Sequence, residues 1–246
     1  MSVAADTPNE NCMRERELRY FGRVLAGQCH ELVNALNIAH ELCGLHEDTV
    51  PRALEGQAGA VEKLGSLARR LQIQIARCHA ILRVLSRFAH SVDELEGAYD
   101  AREIVERAVF LAARQARLRQ TELQVVLPQG SVPLVDYSPF RLQQAIHEGI
   151  ELLLEGVAQG RRITASLTPA PVGAEVTLES GDPLLCNEAA AGRLAELTAL
   201  VQAAGGEVRE TPKDGGRLVF LIPYGRHDAT SPDSDTVGRG GATGGC

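Results

Sequence analysis

Between Gln57 and Val92, apolar side chains recur at Val61, Leu64, Ala68, Leu71, Ile75, Cys78, Leu82, Leu85 and Ala89. The steps alternate between three and four, which predicts a helix carrying a heptad seam. Such a seam has to be covered, and a helical partner stands just upstream. Met13 to Cys43 reads as a first long helix, with Leu18, Phe21, Leu25, Leu32, Leu36 and Ala39 as its apolar stripe. Gly44 to Gly56, which holds His46, Asp48, Pro51 and Gly56, reads as the turn region between the two. Together they form an antiparallel hairpin. One hairpin does not bury both seams, so a homodimer closing a four-helix bundle is the expected solution.

The pattern changes after Asp93. Asp100 to Arg117 reads as a helix with Ile104, Val105, Ala108, Leu111 and Ala112 on one side. Glu122 to Leu127 and Val132 to Val135 read as short strands. Ser138 caps a helix with Pro139 in its first turn, running to about Val157. Ile163 to Leu167 and Ala174 to Leu178 alternate as a strand pair. Glu188 to Ala204 is a helix closed by Gly205 and Gly206. Glu207 to Glu210 and Arg217 to Ile222 form a last strand pair around Lys213 to Gly216. The fold class is therefore α+β. A long helical hairpin (residues 13–95) precedes an α/β sandwich (98–224), flanked by a disordered N-terminus (1–12) and a disordered tail (225–246) rich in Gly, Ser, Asp and Thr.

Composition narrows the function. Of 246 residues, 4% are aromatic and none is Trp, so the core is built from Leu, Val, Ile and Ala. The net charge of -7 argues against nucleic acid as the main partner. No apolar run reaches the roughly 20 residues that span a bilayer, and Met1 to Met13 lacks a signal-peptide core. The expectation is a cytoplasmic protein that does not contact membranes. The cysteines Cys12, Cys29, Cys43, Cys78, Cys186 and Cys246 are spaced for neither zinc nor a disulfide framework.

One side chain on the first helix stands out. At about 100° per residue, His30 falls well away from the apolar stripe. Asn34 lies one turn further along the same face, and Glu31 is adjacent. An exposed imidazole with a carboxylate and an amide in reach is a candidate phosphate acceptor. By contrast, His40 and His79 read as surface residues, and His147 as packed near the sandwich. Glu148, Glu151 and Glu155 read as a solvated helix face, and Arg69, Arg70, Arg161 and Arg162 as solvent-facing charges.

The order of elements and several phrases resemble the core of bacterial two-component histidine kinases. Gly22 to Leu42 (GRVLAGQCHELVNALNIAHEL) resembles the phosphoacceptor box H-E-x-x-N-P-L, with His30, Glu31, Asn34 and Leu36 in place and Ala35 where the family has proline. Ala76 to Phe88 resembles the second helix of the phosphotransfer hairpin. Phe140 to Gly156 resembles the first long helix of the ATP-binding domain. Ala204 to Gly206, then Gly215, Gly216 and the strand into Pro223, resemble its closing hairpin.

The nucleotide elements of that family are missing. Its magnesium-holding Asn matches Leu152, and an earlier Asn position matches Glu148; leucine offers no oxygen to a hard cation. Ser180, Gly181 and Asp182 stand where a D-x-G-x-G box belongs, and Leu184 to Arg193 has a single glycine where the lid should be. The resemblance thus implies a degenerate kinase core that exchanges phosphoryl groups between His30 and response-regulator receiver aspartates. In that reading there is no cofactor of its own. ATP binding is not expected, and Mg²⁺ comes from the receiver. Glu31 orients the imidazole and Asn34 assists water or the receiver. Arg23, Gly27, Val33 and Asn37 touch the receiver, and an upstream sensor kinase is a further partner. The rival readings are an ATP-dependent sensor kinase with a diverged site, a receiver phosphatase, and a non-catalytic docking protein.

Overall fold

The computed structural model describes residues 8–93, 98–130, 134–182, 187–203, 205–211 and 216–224. Helix α1 (Pro8–Leu54) and helix α2 (Ala60–His90) pack side by side as the hairpin. Strand β1 (Ala98–Tyr99), helix α3 (Ala101–Leu118), strand β2 (Glu122–Val126) and strand β3 (Val135–Asp136) follow. Then come helix α4 (Pro139–Gly156), strands β4 (Arg162–Ala170) and β5 (Gly173–Ser180), helix α5 (Glu188–Gln202), and strands β6 (Glu207–Thr211) and β7 (Arg217–Pro223). The main sheet has the order β2-β4-β5-β7-β6. Its β2–β4 pair is parallel and its other pairs are antiparallel; β1 and β3 form a separate short ladder.

The hairpin followed by a helix-covered α/β sandwich is the architecture the sequence predicts. Ile163, Ala165 and Leu167 on β4, Ala174, Val176 and Leu178 on β5, and Leu218, Phe220 and Ile222 on β7 are buried at alternate positions. Together they make the sheet face on which α3, α4 and α5 lie. Ser138 caps α4 as expected, its Oγ accepting from the Arg141 N–H at 3.5 Å. Asp100 likewise caps α3 and Asn187 caps α5.

Both boundaries of α1 differ from expectation. Helix α1 starts at Pro8, inside the segment read as disordered, and runs through the segment read as a turn. Thr49 is buried and its hydroxyl donates to the Leu45 carbonyl at 2.7 Å, so residues 44–54 contribute to the packed face. Pro51 sits in the final turn, where a lost backbone bond is cheap because the neighbouring carbonyls are near solvent. The reversal is made by Gly56 (φ 73°) and Gly59 (φ 78°), both left-handed and therefore suited to glycine. The proposed tail from residue 225, residues 132–133 of the predicted second strand, Leu184 to Cys186 of the lid segment and the turn at 212–215 lie outside the described residues.

The seam on α2 is also split. Leu64, Leu71, Cys78 and Leu85 turn toward the hairpin interior with Ala60, Leu67, Ile81 and Phe88. Val61, Ile75 and Leu82 remain 66%, 46% and 48% exposed, with Ala68 and Ala89 exposed on the same row. On α1 the same holds. Tyr20, Val24, Gln28, Ala35, Leu42 and Thr49 are buried, whereas Leu18, Leu25 and Leu36 of the predicted stripe are exposed. Each helix thus has two apolar sides, and the hairpin uses one of them.

Candidate functional site

Helix α1 presents three faces about a third of a turn apart, taking about 100° per residue. One face packs on α2 and the sandwich through Tyr20, Val24, Gln28, Glu31 and Ala35. A second carries exposed Leu18, Leu25 and Leu36 with half-buried Leu32. The third holds Arg23, Gly27, His30, Asn34 and Asn37 at alternating steps of four and three, all exposed except half-buried Gly27. The imidazole of His30 is in solvent, as its helical position predicts. Val33 is 52% exposed beside this row.

Glu31 belongs to the packed face and not to the His30 face. Its carboxylate accepts hydrogen bonds from Arg77 on α2 and Arg117 on α3, and lies 3.7 Å from Arg114 Nε. Arginine suits this position because its planar fork reaches a carboxylate from several directions. One turn earlier, buried Gln28 donates to the Leu111 carbonyl of α3 at 3.4 Å. These two side chains couple the hairpin to the sandwich at the level of His30. Arg23 is engaged as well. It reaches Glu151 Oε2 at 3.2 Å and Glu148 Oε1 at 3.8 Å on α4, so the sandwich borders the His30 face two turns below the imidazole.

Below that level an aromatic group locks α1, α2 and α4 together. Tyr20 meets Phe88, Phe140 and His147 edge-on at centroid distances of 5.7, 5.5 and 5.4 Å, and Phe21 stacks on Phe88 at 5.4 Å. His147 is fully enclosed, as expected from its position. Burial pushes its pKa down to about 4, helped by the charge of Arg23 and opposed by Glu148. Neither ring nitrogen has a hydrogen-bond partner of good geometry, so the ring is held as a neutral aromatic body.

Of the acidic row on α4, Glu155 is exposed as expected, but Glu148 and Glu151 are not solvated. Glu148 is buried, ion-paired with Arg16 and accepting from Gln144 Nε2 at 2.9 Å. Burial raises the carboxyl pKa of Glu151 against the pull of Arg23 and Arg193. Glu155 pairs with Arg193 on α5. Along the chain the row reads as solvated because the counter-charges of Glu148 and Glu151 come from a helix distant in sequence. Its Arg16 and Arg23 supply the counter-charges, and Arg16 also donates to the Glu196 carbonyl of α5 at 2.7 Å.

The cleft between α4 and α5 is therefore roofed by α1. What remains is a cavity of about 220 Å³ lined by Arg16, Arg23, Glu148, Glu151, Leu152 and Arg193, among others. Leu152 is 2% exposed, so its side chain is part of the core. Asp182 is committed to structure. Its carboxylate accepts from the Ala158 N–H at 3.0 Å and lies 3.6 Å from Arg161, and its carbonyl accepts from Gly216 N–H and Ser180 Oγ. Among the described residues no group of three His, Cys, Asp or Glu side chains is gathered to hold a metal.

Sequence reading had no role for Arg77, Arg114 and Arg117. A signal was present: from Lys63 to Val92 and from Arg107 to Thr121 the chain has basic residues but no Asp or Glu.

No family model and no curated protein matches this chain. Among the solved structures similar to it are histidine kinases. A histidine kinase from Burkholderia phymatum STM815 is 14% identical, covers 86% of this chain and 99% of its own length, and has a TM-score of 0.47. Acinetobacter baumannii histidine kinase AdeS is 13% identical, with coverages of 79% and 98% and a TM-score of 0.45. The mycobacterial sensor histidine kinase MprB is 18% identical, with coverages of 53% and 98% and a TM-score of 0.44.

Proposed function

We propose that this chain is a homodimeric histidine phosphotransfer protein of the two-component kind, exchanging phosphoryl groups between His30 and receiver aspartates. One observation carries the reading: His30 is exposed on a face of α1 apart from its packed side and its uncovered apolar side chains, two turns beyond the point where Arg23 of that face meets α4. A nucleophile presented this way is open to a second protein while the bundle holds its backbone rigid.

The chemistry needs little from this chain. A neutral imidazole nitrogen attacks phosphorus of the aspartyl phosphate. The P–O bond to the aspartate breaks, the carboxylate leaves, and the ring loses its proton to solvent. Mg²⁺ belongs to the receiver. Asn34, one turn on, is placed to hydrogen-bond the incoming phosphoryl oxygens or a water. Glu31 acts through the backbone it anchors, since its carboxylate is held by arginines.

The cleft between α4 and α5 supports a role without ATP. Its cavity of about 220 Å³ is below the roughly 300–1,000 Å³ of ordinary ligand pockets, and its acidic groups already have arginine partners. The uncovered row of Leu18, Leu25 and Leu36 on α1 with Val61, Ile75 and Leu82 on α2 supports the homodimer. No helix among the described residues is long and apolar enough to cross a membrane.

The test is incubation with phosphorylated receiver domains, followed by mapping of acid-labile phosphate. Label on His30 in the wild type and none in His30→Ala is the expected result. Labelling of His30 by ATP alone would replace this reading with that of an autophosphorylating kinase. Leu36→Arg is expected to convert a dimer into a monomer by sedimentation; a monomeric wild type would remove the bundle from the proposal.

A further inference from the structure

The chain carries a net charge of -7, yet two segments beside His30 are strongly basic. Helix α2 holds Lys63, Arg69, Arg70, Arg77, Arg83 and Arg87, with no carboxylate from Lys63 to Val92. The end of α3 and the turn after it hold Arg114, Arg117 and Arg119, with none from Arg107 to Thr121. The fold brings these segments together at one place, because Glu31 is contacted from α2 by Arg77 and from α3 by Arg114 and Arg117. One carboxylate faces three guanidiniums, which leaves a local excess of positive charge. The side chains of Arg77, Arg114 and Arg117 are 39%, 32% and 56% exposed, so each stays partly open to solvent while facing Glu31. Arg70 lies on the row of Arg77, seven residues earlier, and Arg119 follows exposed Leu118. Neither Arg70 nor Arg119 has an ion-pair partner among the described residues.

We infer that this wall of arginines, made by α2 and the end of α3, is the docking surface for an acidic protein partner, the phosphorylated receiver domain. The inference rests on the phosphotransfer reading above and relocates the partner contact. Arg23, the one basic residue on the His30 row, is occupied by Glu148 and Glu151. The free positive charge lies one helix face away, on the side of Glu31. A receiver carries its phosphoryl group in a pocket of carboxylates, so its negative rim fits this wall while its phosphorus approaches His30. Glu31 is then an internal counter-ion that keeps the guanidiniums fanned until the partner arrives. Charge of this kind steers encounter and sets orientation, so it acts mainly on the association rate.

The experiment measures association of the full chain with a panel of phosphorylated receiver domains and, in parallel, with a DNA duplex. Arg70→Glu and Arg119→Glu disturb none of the ion pairs that hold the fold. Arg52→Glu, at the far tip of the hairpin, makes the same change in net charge. The expected result is association slowed about tenfold by Arg70→Glu and Arg119→Glu, unchanged by Arg52→Glu, with the wild-type rate falling as salt is added. Equal rates for all three variants, or no receiver bound by the wild type, overturn the inference. Binding of the duplex in preference to every receiver also overturns it and gives the wall to nucleic acid. Arginine-dependent binding without phosphate on His30 keeps this surface and removes the phosphotransfer reading. Phosphate on His30 with arginine-independent binding does the reverse.

Discussion

Replacing Glu31 by glutamine keeps the side chain's length and removes the charge that Arg77, Arg114 and Arg117 share. The Glu31 side chain is only 12% exposed, while its partners are 39%, 32% and 56% exposed. Removing one member of a dry ion pair costs about 3–5 kcal/mol, whereas an exposed pair is worth about 0–1 kcal/mol. With one end enclosed and the other partly in water, the expected loss is roughly 1–2 kcal/mol, or a fall in Tm of roughly 2–8 °C for a chain of this size. Differential scanning calorimetry reads it directly. The loss should shrink as salt is added, because the open ends of the arginines are screened. In a double-mutant cycle, Arg117→Gln should cost little once Glu31 is already glutamine. Phosphorylation of His30 by a small-molecule phosphoramidate should proceed at the wild-type rate, since Glu31 does not touch the ring. A Tm unchanged to within about 1 °C, or strictly additive Glu31 and Arg117 effects, refutes the clamp. A large fall in the phosphoramidate rate restores Glu31 to the orienting role first expected of it.

Two further outcomes follow from the joint and the sheet. His147 titrates at about 4 in the folded chain against an ordinary value of 6.5. The folded state therefore binds fewer protons than the unfolded one in that window. Its contribution is complete above about pH 6.5 and is lost as pH falls toward 4, by about 3 kcal/mol in all. Glu151, raised by burial, works in the opposite sense as pH rises. The difference between the Tm–pH profiles of wild type and His147→Phe isolates the histidine, and parallel profiles would contradict its burial as a neutral ring. On β5, a Cβ at Gly173 would lie 2.0 Å from the Ile222 carbonyl oxygen of β7. Gly173→Ala should thus cost at least about 1–3 kcal/mol, measured by denaturant unfolding, because backbone and not a flexible side chain stands in the way.

Much of the fold was legible because local signals agreed with one another. Ser138 with Pro139 marks the start of α4, Gly205 and Gly206 close the α5 region, and the alternation in β4 and β5 points the right side chains inward. The exposure of His30 was legible too, since angular position on a helix follows from counting residues. The errors share a cause. Residues 44–54 were assigned to a turn from His46, Asp48 and Pro51, but a buried Thr49 and packing against α2 outweigh one proline near a helix end. The seam on α2 was counted as one row, whereas the hairpin covers one side of it and leaves the other.

The site divides the same way. Periodicity along the chain determined that α1 is a helix and that His30 faces away from its apolar stripe. Only the tertiary structure decided where Glu31, Glu148 and Glu151 find their charges. Their arginines are far along the chain from them, on α1, α2, α3 and α5, and a carboxylate's environment is set by what is near in space. Counting along one helix gives direction; it takes the packing of several to show what stands in that direction.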